Sequence, residues 1–415
     1  MTRILAILLA GAAAALCLVG PAVAAAPAGP TNEDCLGCHA DQGLVKEARG
    51  KKVSLYTDEA TLKASVHRKL DCVGCHAGIK EVPHPEKLPT PTCAQCHAKA
   101  QAVVSQSAHG KPDGPGLQCQ SCHGSHGVMP ASKLARAACE GCHGDIVQAY
   151  QDSVHGKALA NGVTEAAQCQ NCHSTIHALK SQKDPDAPTN RKRMAETCGK
   201  CHADRALVER RHIPVPRAYQ LYQQSVHGRA VAAGKPGATC NDCHDSHAAG
   251  RANDPKSSIY REHIPKMCAK CHAEESRQYA ESIHGVAMAQ GATKSPVCTD
   301  CHGEHSIRAT RDPASRVSIA SVSTTCANCH EAEGISQKYD IPGRRLTTYA
   351  DSFHGLAVRG GSKLATNCAS CHGIHDIRPS KDPKSAIHAS NLPATCGKCH
   401  PGASDNFAKG PIHVV

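Results

Sequence analysis

The chain has 415 residues with no Trp, two Phe and eight Tyr, set against 27 Cys and 29 His. So few large aromatic side chains exclude an ordinary globular core for a chain of this length, and something other than protein must fill the interior. The formal charge of +11 comes without interleaved aromatics, which excludes nucleic acid as a partner.

In chain order, residues 1–24 read as a secretory signal peptide. Arg3 precedes an apolar run from Ile4 to Val19, and Ala22-Val23-Ala24 is a small-residue cleavage site. An uncleaved anchor is the alternative reading. A lipoprotein signal at Cys17 is disfavoured, because Leu16 stands where a small residue is expected. No later stretch approaches the roughly 20 apolar residues of a membrane span. The expected mature chain, 25–415, is therefore exported, carries no transmembrane span and is placed in the periplasm. Association with an outer membrane or an extracellular place is the alternative.

Every cysteine except Cys17 lies in a Cys-x-x-Cys-His, and there are thirteen such motifs. The first four are Cys35, Cys38 and His39; Cys72, Cys75 and His76; Cys93, Cys96 and His97; Cys119, Cys122 and His123. Then come Cys139, Cys142 and His143; Cys169, Cys172 and His173; Cys198, Cys201 and His202; Cys240, Cys243 and His244; Cys268, Cys271 and His272. The last four are Cys298, Cys301 and His302; Cys326, Cys329 and His330; Cys368, Cys371 and His372; Cys396, Cys399 and His400.

Two thiols three positions apart reach the two vinyl groups along one haem edge, and the next histidine is then held over the porphyrin face as an iron ligand. Structural zinc, disulfides or a redox dithiol would not require a histidine after every pair. The reading is thirteen covalent haems c, about one per 30 residues, which supply the missing core. The expected fold is mainly α with a large irregular fraction. It is an elongated multihaem cytochrome c array of six doubled haem units plus one terminal haem, with short helices and long connections. Haem propionates and ferric irons change the charge as well, to about −3 oxidised and about −16 reduced. Lys and Arg are then read as propionate partners.

Sixteen histidines lie outside the motifs. Six follow Ser-x: His67, His109, His155, His227, His284 and His354. Four of these have a tyrosine five residues earlier, as in "YQDSVHG". Five closely follow a motif, as in "CHGEH": His126, His177, His247, His305 and His375. His84 in "CHAGIKEVPH" is a stretched version. Two recurring contexts point to second axial ligation. His302 and His305 are three residues apart, so their Cα atoms span at most about 10–11 Å. Two imidazoles on opposite faces of one haem need about that or more. His305 is therefore expected to serve a neighbouring haem and to bring two irons close together.

The phase is set by reading one repeat as motif, Ser-x-His, motif, near-following His. Six repeats run from Cys35 to His84, Cys93 to His126, Cys139 to His177, Cys198 to His247, Cys268 to His305 and Cys326 to His375. The haem at Cys396 then needs one more ligand. His97 and His109, like His272 and His284, are twelve residues apart; His400 and His413 are thirteen apart. His413 is therefore expected to serve the last haem, in a truncated half-repeat with Phe407 near the tyrosine's place. His212, His263 or His388 is the alternative ligand. Asp-Pro at Asp254, Asp312 and Asp382 reads as a turn, with calcium a weak second. Segment 181–194 reads as a hinge, and 210–223 as an insertion of unassigned purpose.

The texture "Y-x-x-S-x-HG … CxxCHGxH … CxxCH" resembles the doubled-motif multihaem cytochromes c of Gram-negative bacteria. It is similar to the periplasmic decahaem component of porin–cytochrome conduits, with more haems than that pattern. The resemblance implies electron relay in anaerobic respiration or extracellular electron transfer, with no catalytic residues. It also implies redox partner proteins: a quinol dehydrogenase, an outer-membrane porin or other cytochromes. A multihaem reductase of a nitrogen or sulfur oxyanion, and a cytochrome filament subunit, are the alternatives. Methionine ligation would raise the potentials. Met129, Met194, Met267 and Met288 sit in no repeating context, so low, spread potentials are expected.

Overall fold

The computed structural model describes residues 29–410 apart from 49, 113, 131–133 and 135–136, together with 412–413. The signal-peptide reading of 1–24 lies outside the described residues. Short helices dominate, joined by turns, with one two-stranded antiparallel sheet in which β1 (Val45–Ala48) pairs with β2 (Lys51–Ser54). Among the described residues no helix is long and apolar enough to cross a membrane. The chain divides into two compact bodies, one of 1–98 with 119–132 and the other of 99–118 with 133–415.

Only nine apolar side chains among the described residues are buried, from Leu134 to Tyr349. That is far too few to order a chain of this length by apolar burial alone. Many of the other buried side chains are small and polar, and they sit at fixed points of the repeat. Ser65, Ser107, Ser153, Ser225 and Ser282 open the Ser-x-His segments, while Ser257, Ser315 and Ser385 close the Asp-Pro turns.

The tyrosine motif is a local machine for aiming one histidine. In the fifth repeat, Ser282 caps the helix Ile283–Ala289: its Oγ accepts from Gly285 N at 3.1 Å and donates to Tyr279 O at 2.6 Å. This satisfies one of the orphan amides of the first turn. The histidine is thereby fixed at the second helical position. A Cβ on Gly285 would lie 2.1 Å from Tyr279 O, so only glycine fits. The Tyr279 hydroxyl, pushed up to about 12 by burial, donates to Pro296 O at 2.9 Å, two residues before the next motif. Tyr150, Tyr222 and Tyr349 make the same bond to Ala167, Ala238 and Thr366.

In the third to sixth repeats the second motif has a matching device. Its helical turn, such as Cys298–His302, is closed by Asp300, whose carboxylate accepts from Val297 N at 2.7 Å. In the second to sixth repeats the residue after the second motif turns left-handed: Gly124, Gly303 and Gly373 have φ of 71°, 79° and 87°, and Ser174 and Asp245 have 71° and 59°. Glycine is the natural occupant there. The turn throws the near-following histidine away from its own motif.

The repeats are also stitched forward. The residue between Ser and His donates its N–H to a carbonyl two residues past the near-following histidine of the next repeat. These bonds run from Val66 to Val128, Ala108 to Leu179, Val154 to Ala249, Val226 to Ile307 and Ile283 to Ile377, at 2.7–2.9 Å. Arg308 and Arg378 reinforce two of the stitches by reaching Gln224 and Glu281 of the preceding repeat.

The Asp-Pro segments are turns: Asp254, Asp312 and Asp382 each accept from the amide two residues on. Asp312 and Asp382 also pair with Arg308 and Arg378, which leaves them poorly placed for calcium. In segment 181–194, Asn190 bonds Gln182 O and Arg193 bonds Pro185 O, while Thr197 reaches in to Pro188 O. Thr395 bonds Ala386 O in the same way. The insertion 210–223 has a counterpart in the sixth repeat. His212 and Asp340 both turn left-handed, at 49° and 51°, and Ile213 and Ile341 then bond back to Val208 and Ser336.

Two substitutions test this frame by thermal unfolding of the holoprotein. Gly285→Ala, which forces a Cβ against a backbone carbonyl, should cost about 1–3 kcal/mol. Tyr279→Phe, which removes one hydrogen bond, should cost about 1 kcal/mol.

Candidate metal centres

Each motif winds its two cysteines and its histidine onto one helical turn, at relative positions zero, three and four, which share a face. In the first, second, fourth, fifth and sixth repeats the first cysteines of the two motifs are neighbours. Hydrogen bonding to Cys240 pushes the Cys198 thiol up, and Cys268 and Cys326 are raised in the same way by Cys298 and Cys368. In the first body, burial and then Cys35 raise Cys72, and burial and then Cys93 raise Cys119. The attachment points of both motifs of a repeat therefore lie side by side.

The histidines meet in pairs. In the first body His39 faces His84, His67 faces His97 and His76 faces His126, with ring centres 6.1, 6.0 and 6.4 Å apart. In the second body five Ser-x-His rings face first-motif histidines. His109 meets His143, His155 meets His202 and His227 meets His272, each at 6.2 Å. His284 meets His330 at 6.2 Å and His354 meets His400 at 6.1 Å. Near-following histidines face second-motif ones: His247 meets His173 at 6.0 Å, His305 meets His244 at 5.8 Å and His375 meets His302 at 6.1 Å. His413 meets His372 at 6.3 Å. His123 belongs to the first body and His177 to the second.

The spacing is diagnostic. A metal–imidazole bond of about 2.0–2.1 Å plus about 1.1 Å from nitrogen to ring centre separates two trans imidazoles by about 6.2–6.4 Å. The twelve pairs, at 5.8–6.4 Å, fit an iron bound on both faces. Contact stacking would bring the rings closer than this. Among the described residues no three His, Cys, Asp or Glu side chains gather as a bare-ion site. Burial pushes His284 down to about 4 and lowers His155, His202, His244 and His302 as well, which keeps these rings neutral, the form that binds metal.

No pair lies within one Ser-x-His spacing. The twelve-residue separation does not bring rings together: His109 faces His143 rather than His97, and His284 faces His330 rather than His272. For the same reason His413 is not the partner of His400. The helix Phe353–Arg359 already carries His354 to His400, and His413 goes to His372, where its Nδ1 lies 3.2 Å from Thr348 Oγ1. Phe407 is not in the tyrosine's place either; its ring lies 5.0 Å from that of His400.

The three remaining histidines are outside the pairs. His263 Nδ1 bonds Ser257 O, His388 Nδ1 bonds Ser390, and His212 occupies a left-handed turn. Several cations expected beside propionates are engaged by protein groups. Arg261 pairs with Asp300 and bonds Ser295 O, and Arg191 pairs with Asp242. Two supporting contacts carry no sequence signal, because their acceptors are backbone: His39 Nδ1 to Leu55 O at 2.8 Å and His84 Nδ1 to Pro85 O at 3.0 Å. Such bonds fix ring orientation and raise ligand basicity.

The comparisons with known proteins agree with this geometry. Residues 229–277 match the family model described as "Doubled CXXCH motif". The chain is also 25% identical over 209 residues to the multiheme cytochrome MtrA of Shewanella baltica (strain OS185), covering 44% of this chain. The chain is a multihaem c-type cytochrome with doubled Cys-x-x-Cys-His motifs. The match spans 53% of the length of that relative.

The assignment of His413 can be tested with the last haem removed. In a Cys396→Ser/Cys399→Ser background, His413→Ala should still create one high-spin iron by electronic absorption and EPR. No new high-spin iron would return His413 to the last motif.

Proposed function

We propose that this cytochrome holds thirteen haems c and passes electrons between redox proteins outside the cytoplasm. The observation that carries the reading is the set of twelve imidazole pairs at iron-spanning distance, each joining a motif histidine to a spare one. When bound, haem would supply one-electron exchange at iron; the motif cysteines would anchor it and the paired histidines would hold and orient it. With an imidazole on each face, substrate has no place at these irons, which favours a carrier over an oxyanion reductase. The neighbouring cysteines, such as Cys268 and Cys298, set two attachment edges side by side, an arrangement suited to electron tunnelling within each repeat.

The partners follow from the resemblance to the cytochrome component of porin–cytochrome conduits: a quinol dehydrogenase as donor, and a porin or a further cytochrome on the acceptor side. Export by the segment 1–24, with covalent haem attachment outside the cytoplasm, places the protein in the periplasm in service of anaerobic respiration.

The test combines mass and redox measurements on the purified holoprotein. Intact mass should show thirteen added haems, and the oxidised protein should be low-spin throughout, with potentials mostly below about 0 mV for imidazole ligation without methionine. A stoichiometric high-spin iron in the intact protein would overturn the carrier reading in favour of a reductase.

A further inference from the structure

The paired rings fall into two orientations, and the local context of the spare histidine separates them. All six Ser-x-His rings are tilted or crossed against their partners: 42° for His67, 40° for His109, 68° for His155, 47° for His227, 66° for His284 and 49° for His354. Five of the six rings that follow a motif are closer to parallel: 15° for His84, 29° for His126, 1° for His247, 6° for His305 and 29° for His375. Among these eleven pairs no angle lies between 29° and 40°. His413, which belongs to neither context, stands at 54°.

The cause is local backbone. His155, His227, His284 and His354 each sit at the second position of a helix whose start is pinned by the serine cap and by a glycine pressed on a carbonyl, so the ring plane is set by the helix. His67 and His109 lie in turns whose serines, Ser65 and Ser107, accept from the histidine N–H. For the Cys-x-x-Cys-His followers, other than His84, a residue with positive φ precedes the histidine, so its ring plane is set by that turn. The same two devices recur along the chain, and therefore so do the two angles.

We infer that the two histidine contexts build two classes of low-spin haem, assigned alternately to the first and second motifs of successive repeats. The ends depart from that order, because His39 has the near-parallel partner and His372 the tilted one. This rests on imidazole ligation of both faces, as proposed above. Parallel imidazole planes split the two iron d orbitals that overlap the ring π systems, and crossed planes leave them nearly equal in energy. Axial-ligand orientation is thereby a lever on the electronics of the iron. In EPR, near-parallel pairs give a rhombic low-spin spectrum and crossed pairs a single feature at large maximum g.

The test is EPR of the full-length holoprotein, poised at several stages of oxidation so that neighbouring irons are sampled singly. Near-infrared magnetic circular dichroism on the same samples counts imidazole–imidazole haems whatever their ring angle. Both EPR components should be present, with at least five irons rhombic and the irons of His155 and His284 in the large-g component, because their rings cross at 68° and 66°. The pairs tilted by 40–54° should fall between the two, at a higher maximum g than the near-parallel ones. His305→Met should then remove about one-thirteenth of the total from the rhombic component, and His284→Met the same amount from the large-g component. Ser282→Ala, which loosens the cap but leaves the ligand, should move large-g intensity without changing haem content or the near-infrared count. His247→Met and His155→Met provide the same contrast if either first variant fails to mature. A single EPR class in the intact protein, or loss from the same component in both variants of a contrast, overturns the inference while the near-infrared count still upholds imidazole ligation. A low near-infrared count instead removes the ligation on which it rests.

Discussion

Each described histidine pair other than His39–His84 joins two successive segments of the repeat, and this exchange is the constraint on which the rest of the structure depends. A Ser-x-His ring goes forward to the first motif of the next repeat, as His227 goes to His272, and a near-following ring goes back to the second motif of the previous one, as His305 goes to His244. Neither repeat completes a pair of its own. The forward backbone bond from Val226 to Ile307 runs between the two segments that carry these rings, so each exchange is locked at the point where it crosses. The ends of the series are closed by histidines in modified contexts: His84 turns back to His39, and His413 supplies the backward ring that a seventh repeat would have sent to His372.

This interlock explains why the sequence needs so few apolar residues and so many small ones. The serines buried at the helix starts, the glycine against each tyrosine carbonyl and Ala187 with Ser257 in the Asp-Pro turns all occupy points where backbone approaches backbone. A larger side chain there would displace a ring by an ångström or more, and axial bonds at about 2 Å tolerate little of that. The tyrosines do the complementary job: one hydroxyl bond from each ties the helix that precedes the Ser-x-His segment to the entry of the second motif.

Much of this was legible in the sequence, because covalent chemistry leaves a pattern in residue type. The thirteen Cys-x-x-Cys-His motifs and the two contexts of spare histidine read directly, and the three-residue separation of His302 and His305 already argues against their sharing an iron. What did not read was the direction of exchange. Twelve-residue spacings such as His97 to His109 look like a ligand loop, yet the capped helix start carries each ring away from the motif that precedes it. His413 is the same case: near His400 in sequence, its ring lies against that of His372. Ring orientation and the carbonyls behind His39 and His84 were out of reach, since backbone acceptors have no residue code.

The exchange also bears on how such a chain acquires its structure. With nine buried apolar side chains among the described residues, apolar burial of protein by protein is worth on the order of 10–30 kcal/mol at the usual value per side chain. Ordering several hundred residues costs roughly 1–2 kcal/mol each in backbone entropy alone, a deficit of an order of magnitude. On the proposed reading haem would contribute stabilisation as well as redox chemistry, through thioethers at each motif and through the histidine pairs that join repeats. Because each ring pair needs a segment made later in the chain, the iron-facing contacts of one repeat cannot be completed before the next repeat is present. Attachment through the cysteines is local and axial pairing is not. The separation of covalent anchoring from ligand exchange lets a chain with hardly any core of its own assemble repeat by repeat.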